Sequence, residues 1–307
     1  MKNQIQILPY AAIVGQQVLK DALEMCHVEP GIRGLLISGE RGTGKSTTVR
    51  AFAQMLLGKG KLPVTLPINA TEDRVVGGWD IGELMKSKAR WKPGLLEAAN
   101  GGLLFIDEVN LLDDHIVNII LDVTATGLLV VEREGQRTEQ QLSFTLVGTM
   151  NPEEGTLRPQ LLDRFGLMVT VVAEQELSAR QQILETVLRT SDTSARAAEW
   201  KQDQATCRRL AKARAAAGKL VFSSNLLQRC ARLAQMFEAD GHRGDHMLAL
   251  AARAYAAAMG ETGVTGEHVA YVAPLALQHR RKMGHQRELV PWSEADAARV
   301  AEVLRDG

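Results

Sequence analysis

Short apolar runs recur along the first half of the chain, at Leu35–Ser38, 61–70, 101–108, 143–152 and 167–173. Each has the length of a strand and ends at a glycine, a proline or a polar cluster, so each is predicted to be a buried strand. Between them lie stretches with the helical period: Thr47–Leu57, stopped by Gly58 and Gly60, and Leu111–Thr126, closing at Gly127. Strands alternating with helices predict a parallel sheet with helices on both faces. Two intervals break the alternation. One, 74–94, carries Trp79 and Trp91 around a polar middle; the other, 128–144, has the pattern of a hairpin with a charged tip. Both are expected to be insertions on the α/β core.

Beyond Ala173 the pattern changes. Residues 174–190 have a period near 3.6. Residues 191–200 are small and polar, and from Lys201 the chain is rich in alanine and leucine, with breaks at Gly218, at 239–245 and at 260–267. The expected division is therefore an α/β core over 1–173, a helical linker over 174–200 and a smaller all-α domain over 201–307.

Composition narrows the classes. The 307 residues are 45% hydrophobic and 23% charged, with 36 basic against 36 acidic side chains. A chain of this kind buries real cores. Zero formal net charge argues against a protein built to coat DNA or an anionic membrane. The three cysteines, Cys26, Cys207 and Cys230, are odd in number and widely spaced. That predicts free thiols and a cytoplasmic home rather than a disulfide framework. The N-terminal segment lacks the basic start and apolar core of a signal peptide. No apolar run approaches the roughly 18 residues of a membrane helix.

Candidate chemistry begins after the first strand. Gly39, Glu40, Arg41, Gly42, Thr43, Gly44, Lys45 and Ser46 satisfy G-x-x-x-x-G-K-[ST], and Thr47 continues into the helix. Such a loop turns backbone N–H groups toward phosphate oxygens, and the helix adds its positive end. Lys45 would reach the β- and γ-phosphates of ATP, and Ser46 would ligate Mg²⁺. The run Leu103–Glu108 ends in two carboxylates at the edge of the sheet where α/β sites lie. Asp107 would hold the Mg²⁺ shell, and Glu108 would polarise the attacking water. Asn151, at the end of a strand expected beside the P-loop strand, would bond that water or the γ-phosphate without competing for the metal. Arg164 stands in Leu161–Gly166, "LLDRFG". Lys45 already supplies one cation, and hydrolysis of a triphosphate is served by a second, supplied from a neighbouring subunit. The bland reading is a surface salt bridge with an acid such as Asp163.

Other groups have plainer expectations. Asp113, Asp114 and His115 read as a helix start. The alanines of 249–258 read as packing, and 279–282, "HRRK", as a solvated helix end. His242 and His246 lack the further ligands a zinc site needs. Trp79 and Trp91 suit a partner-gripping insertion and core burial equally.

The stretches "GERGTGKST", "ATEDRVVG", "PGLLEAANGGLLFIDEVNLLDDHIVNIILDV" and "LVGTMNPEEGTLRPQLLDRFGL" resemble the smaller AAA+ motor subunit of magnesium chelatase, densely over 12–170 and more loosely beyond. The resemblance implies an AAA+ P-loop core with hairpin insertions, followed by a helical lid. By the same resemblance Lys45 and Ser46 fall in Walker A, Asp107 and Glu108 in Walker B, Asn151 is the sensor asparagine and Arg164 the arginine finger. It also makes Arg158 a second interface cation and Arg243 the lid's sensor arginine, with Arg253 as the alternative. It further implies a ring, usually of six copies, a partner subunit carrying AAA+-like and von Willebrand-type domains, and a large tetrapyrrole-binding subunit. Related motors serve cobalt chelatases. The rival readings are a MoxR-like AAA+ chaperone acting on a von Willebrand-domain partner and a DNA-remodelling ATPase. The hairpin tip, with three acids against two arginines over 132–141, fits a phosphate backbone poorly.

Overall fold

A computed structural model of the chain describes residues 7–58, 60–79, 91–133, 136–155, 157–188, 196–239, 241–281 and 290–305. The polar middle of the first insertion, residues 191–195 of the small polar stretch and Lys282 lie outside these residues.

The strands are β1 (Leu35–Ser38), β2 (Val64–Leu66), β3 (Gly77–Trp79), β4 (Trp91–Pro93), β5 (Leu103–Ile106), β6 (Leu128–Arg133), β7 (Gln136–Gln141), β8 (Thr145–Met150) and β9 (Leu167–Thr170). The longer helices are α1 (Gln17–Val28), α2 (Lys45–Leu57), α3 (Asp114–Thr126), α4 (Leu177–Leu188), α5 (Ala197–Ala217), α6 (Ser224–Met236), α7 (Arg243–Met259), α8 (Gly266–Leu277) and α9 (Glu294–Arg305). Five strands form a parallel sheet in the order β2-β5-β8-β1-β9. The expected sheet and both expected hairpins, β3–β4 and β6–β7, are present.

Alternation along the strands divides the core in two. Leu35, Ile37, Leu103, Phe105, Val147 and Leu167 point to one face. Leu36, Leu104, Ile106, Leu146 and Met168 point to the other, where α3 and the β6 strand pack. Because both faces are covered, these strands read as unbroken apolar runs rather than as alternating ones. The first face continues into the C-terminal helices through Leu210, Leu233, Leu248 and Ala251. The alanine run of α7 is buried there, as expected, so the helical part shares one core with the α/β part.

Local signals place the helix ends. Asp113 caps α3, accepting from the His115 N–H at 2.8 Å, and Gly127 closes it with a left-handed backbone. Ser223 caps α6. The helix containing Lys201 begins earlier, at Ala197. Trp79 and Trp91 face each other across β3–β4, ring centroids 5.5 Å apart, both half-buried. The Trp91 indole N–H donates to Glu97 at 2.6 Å. One expectation fails. His279 and Arg280 are not a solvated helix end; each is only 4% exposed. Among the described residues no helix is long and apolar enough to cross a membrane.

Candidate active site

β1 delivers the chain into the loop Gly39–Gly44, and α2 starts at Lys45. Gly42 and Gly44 have φ of +80° and +85°, and nothing lies within 4 Å of where a Cβ would stand. The loop is thus an open concavity in a backbone shape that side chains disfavour, as a phosphate cradle requires. The Lys45 ammonium folds across it, donating to the Gly39 and Glu40 carbonyls at 2.5 and 2.6 Å. Partial burial pulls its pKa down, while Asp107 and Glu108 pull it back up.

Sheet order explains what meets the loop. β8 lies between β1 and β5, so its end touches both the P-loop strand and the strand bearing the two acids. Ser46 Oγ donates to Asp107 at 3.0 Å. The buried Thr149 hydroxyl donates to Asp107 Oδ1 at 2.6 Å and accepts the Glu108 N–H at 3.0 Å. Glu108 has φ +56°, a left-handed backbone uncommon outside glycine. Residues held in such conformations cluster where function requires an aimed side chain. Asn151 is 3% exposed, and its Oδ1 accepts the Glu153 N–H at 3.3 Å, which leaves its NH₂ as the available donor. Arg41 of the loop pairs with Glu154 and lies 3.6 Å from Glu108. Lys45, Ser46, Asp107, Glu108, Thr149 and Asn151 together line a cavity of about 240 Å³.

The donor set suits Mg²⁺ bound with a nucleotide. A hydroxyl and a carboxylate, Ser46 and Asp107, stand within hydrogen-bond distance of one another beside the open cradle. Among the described residues no group of three His, Cys, Asp or Glu side chains could hold a metal; an Mg²⁺ ion held by one hydroxyl and one carboxylate would take the rest of its shell from water and phosphate oxygens.

A second cavity, of about 400 Å³, adjoins the first through Gly42, Thr43 and Thr47. Its walls include Ile13, Val14, Ile183, Leu184 and Val187. Gln16 bridges it to the loop, donating to the Thr43 and Val172 carbonyls at 3.4 and 3.3 Å.

Three expected site residues stand apart from the phosphate cavity of their own chain. Arg164 pairs with Asp122 of α3 at 2.5 Å, not with Asp163. Arg158 pairs with Asp114 at 2.6 Å. Arg243 pairs with Asp163 at 2.5 Å, at the root of Arg164. Arg253, the alternative lid arginine, is bound to Glu29 at 2.6 Å and half-buried. Neither Thr149 nor Glu154 was singled out from the sequence. In the sequence Thr149 is one more residue of an apolar strand, and Glu154 follows an Asn-Pro turn with nothing local to mark a partner.

An AAA domain of the dynein-related subfamily matches residues 34–165, and an AAA lid domain matches 227–303. The magnesium-chelatase 38 kDa subunit of Cereibacter sphaeroides is 40% identical, over 96% of this chain and 98% of that protein. The chain belongs to the magnesium-chelatase 38 kDa subunit family. Within this family of AAA+ ATPases, the archaeal homologue of subunit ChlI from Methanocaldococcus jannaschii is 39% identical over 90% of this chain and 86% of its own length. An uncharacterized Mycobacterium tuberculosis protein is 45% identical over 89% of this chain, which spans 45% of that longer protein. A cryo-EM-based structure of the complex between subunits BchI and BchD of magnesium chelatase aligns with TM-score 0.52 at 38% identity, covering 97% of this chain and 99% of that one. A putative ATPase from Cytophaga hutchinsonii, at 17% identity and TM-score 0.69, over 97% of this chain and 91% of that one, shares the fold.

Thr149→Val tests the local geometry. It removes a hydroxyl that bonds both carboxylate-bearing residues while keeping the side-chain shape. Asp107 and Glu108 then lose their common tether, and the expected result is a fall in kcat of about 10²-fold, as for a small misplacement of reacting groups. Measured nucleotide affinity should change little, since Thr149 is not part of the cradle.

Proposed function

We propose that the chain is the ATP-hydrolysing ring subunit of a metal chelatase, driving insertion of a metal ion into a tetrapyrrole bound by a large partner subunit. The observation that carries the reading is the convergence of Lys45, Ser46, Asp107, Glu108, Thr149 and Asn151 on one cavity in a chain of this family. Residues 1–173 act as the ATPase core, 174–200 as a helical linker and 201–307 as the lid.

The triphosphate of ATP lies over the amides of Gly42–Gly44 at the N-terminus of α2, where backbone donors and the helix end favour negative charge. Lys45 gives up its two carbonyls to bind the β- and γ-phosphates. The adenine base enters the apolar cavity beside Ile13 and Ile183. Ser46 and Asp107 would hold Mg²⁺, which would supply positive charge against the triphosphate. Glu108 aligns the attacking water and draws on its proton, and Asn151 donates its NH₂ to that water or to the γ-phosphate. Arg164 of the adjacent copy supplies the second cation, with Arg158 and Arg243 beside it. An ion pair as exposed as Arg164–Asp122 is worth about 0–1 kcal/mol, so it does not hold Arg164 against a triphosphate.

The assembly is a ring of copies, usually six. It works with an AAA+-like, von Willebrand-type subunit and the large tetrapyrrole-binding subunit in the cytoplasm, without nucleic acid or membrane. The balance of charge in the hairpin tip favours this over DNA remodelling.

Turnover per chain should fall on dilution as rings dissociate, and should not respond to single- or double-stranded DNA at moderate salt. A several-fold, salt-sensitive stimulation by DNA would favour the remodelling reading instead. The chelatase assignment itself is tested by replacing the Cereibacter 38 kDa subunit with this chain and measuring ATP-dependent insertion of Mg²⁺ or Co²⁺ into a porphyrin. No insertion of either metal, with ATPase intact, would contradict it.

A further inference from the structure

We propose that Arg280 is a positioning residue for the arginine finger: its buried guanidinium grips the backbone on both sides of Arg164 and so sets where that side chain projects toward the neighbouring subunit's nucleotide. This rests on the trans role given to Arg164 above.

Arg280 follows the end of α8, more than a hundred residues from Arg164 in sequence. Its Nη2 donates to the Asp163 carbonyl at 3.1 Å and to the Phe165 carbonyl at 2.5 Å. Its Nη1 donates to the Gly166 carbonyl at 2.9 Å and to the Ala276 carbonyl of α8 at 2.5 Å. The acceptors thus lie immediately before and after Arg164. The neighbouring side chains join in: His279 Nε2 meets the Phe165 carbonyl at 3.0 Å, and Gln278 donates to the Met168 carbonyl at 2.6 Å. At Gly166 the segment also lies close against backbone, since a Cβ there would stand 1.6 Å from the Ile32 carbonyl. The segment is closely packed at Gly166, and the fork of Arg280 ties the carbonyls on either side of Arg164.

This is a costly arrangement to maintain for packing alone. The Arg280 side chain is 1% exposed, and its Nε lies 3.4 Å from the Asp163 carboxylate. Burial brings its pKa down to about 10, still cationic at neutral pH, and drives His279 well below its usual range, so His279 is neutral there. A buried cation needs hydrogen-bond partners, and three of the four hydrogen bonds of Arg280 go to the finger segment. A planar fork that spans several carbonyls is something an arginine provides and a lysine does not. Arg164 itself is half-exposed and free to change partner. Its backbone, held by the lid helix, is not.

The test uses the full-length chain. Arg280→Ala is expected to bind ATP like wild type and to lose about 10²-fold in kcat, the scale of a misplaced reacting group. Mixing then separates positioning from general damage. With Glu108→Gln chains, activity should reappear, because the Arg280→Ala chain offers an intact Glu108 site and the other an intact finger. With Arg164→Ala chains it should not, because neither chain then offers a well-placed finger. The control is Arg164→Ala mixed with Glu108→Gln; if that pair regains nothing, the trans reading of Arg164 fails and this proposal with it. If the control regains activity, the proposal is overturned by near-wild-type turnover of Arg280→Ala, by recovery with Arg164→Ala, or by recovery with neither. Should Arg280→Ala melt too low to use, Arg280→Lys is scored by the same three outcomes, since it keeps the charge and loses the fork.

Discussion

Arg164→Ala is expected to bind ATP with wild-type affinity and to hydrolyse it about 10³–10⁵ times more slowly, the range for loss of an arginine finger. Affinity should hold because Arg164 is absent from the phosphate cavity of its own chain and its ion pair is with Asp122. Folding should hold as well. The replaced side chain ends in an exposed ion pair, whereas the mount beneath it, Leu161, Leu162 and Phe165, is buried and untouched. Isothermal titration with a non-hydrolysable ATP analogue and steady-state phosphate release are the measurements. Weak binding with a normal rate at saturation would assign Arg164 to nucleotide capture rather than to the chemical step.

Glu108→Gln is expected to lose about 10²–10⁴ in turnover, the usual contribution of a positioned general base. Glutamine keeps the shape, but its amide cannot accept the proton that a carboxylate draws from the attacking water. The left-handed backbone at position 108 is as accessible to Gln as to Glu, so the change is chemical. Asp107, tied to Ser46 and Thr149, stays in place to hold the metal, and ATP should accumulate bound and uncleaved. Near-normal single-turnover hydrolysis by this variant would move the base elsewhere in the cavity.

Some of this was legible in the sequence because its parts are contiguous. The P-loop carries its strand, loop and helix within about twenty residues, and the two carboxylates follow an apolar run that has to be a strand. What stayed hidden depends on the order of strands and on contacts between distant segments. Thr149 matters because β8 runs between β1 and β5, an order that no local pattern records. The apolar cavity beside the P-loop draws on Ile13 and on α4, far apart in the chain. Asp122, the acid that holds Arg164, stands 42 positions upstream of it. His279 and Arg280 looked like a solvated basic run, because charge in sequence usually means water; their acceptors are carbonyls about 115 positions away, which carry no signature.

The central claim is that each active site takes its base from one chain and its second cation from the next. Mixing purified Arg164→Ala with purified Glu108→Gln, each inactive alone, tests it most directly. Where the first chain supplies Glu108 and the second supplies Arg164, an interface is complete, so ATPase activity should reappear and should depend on the mixing ratio. If subunit exchange is demonstrated and the mixture stays as inactive as its components, Arg164 does not act across the interface, and the account is wrong.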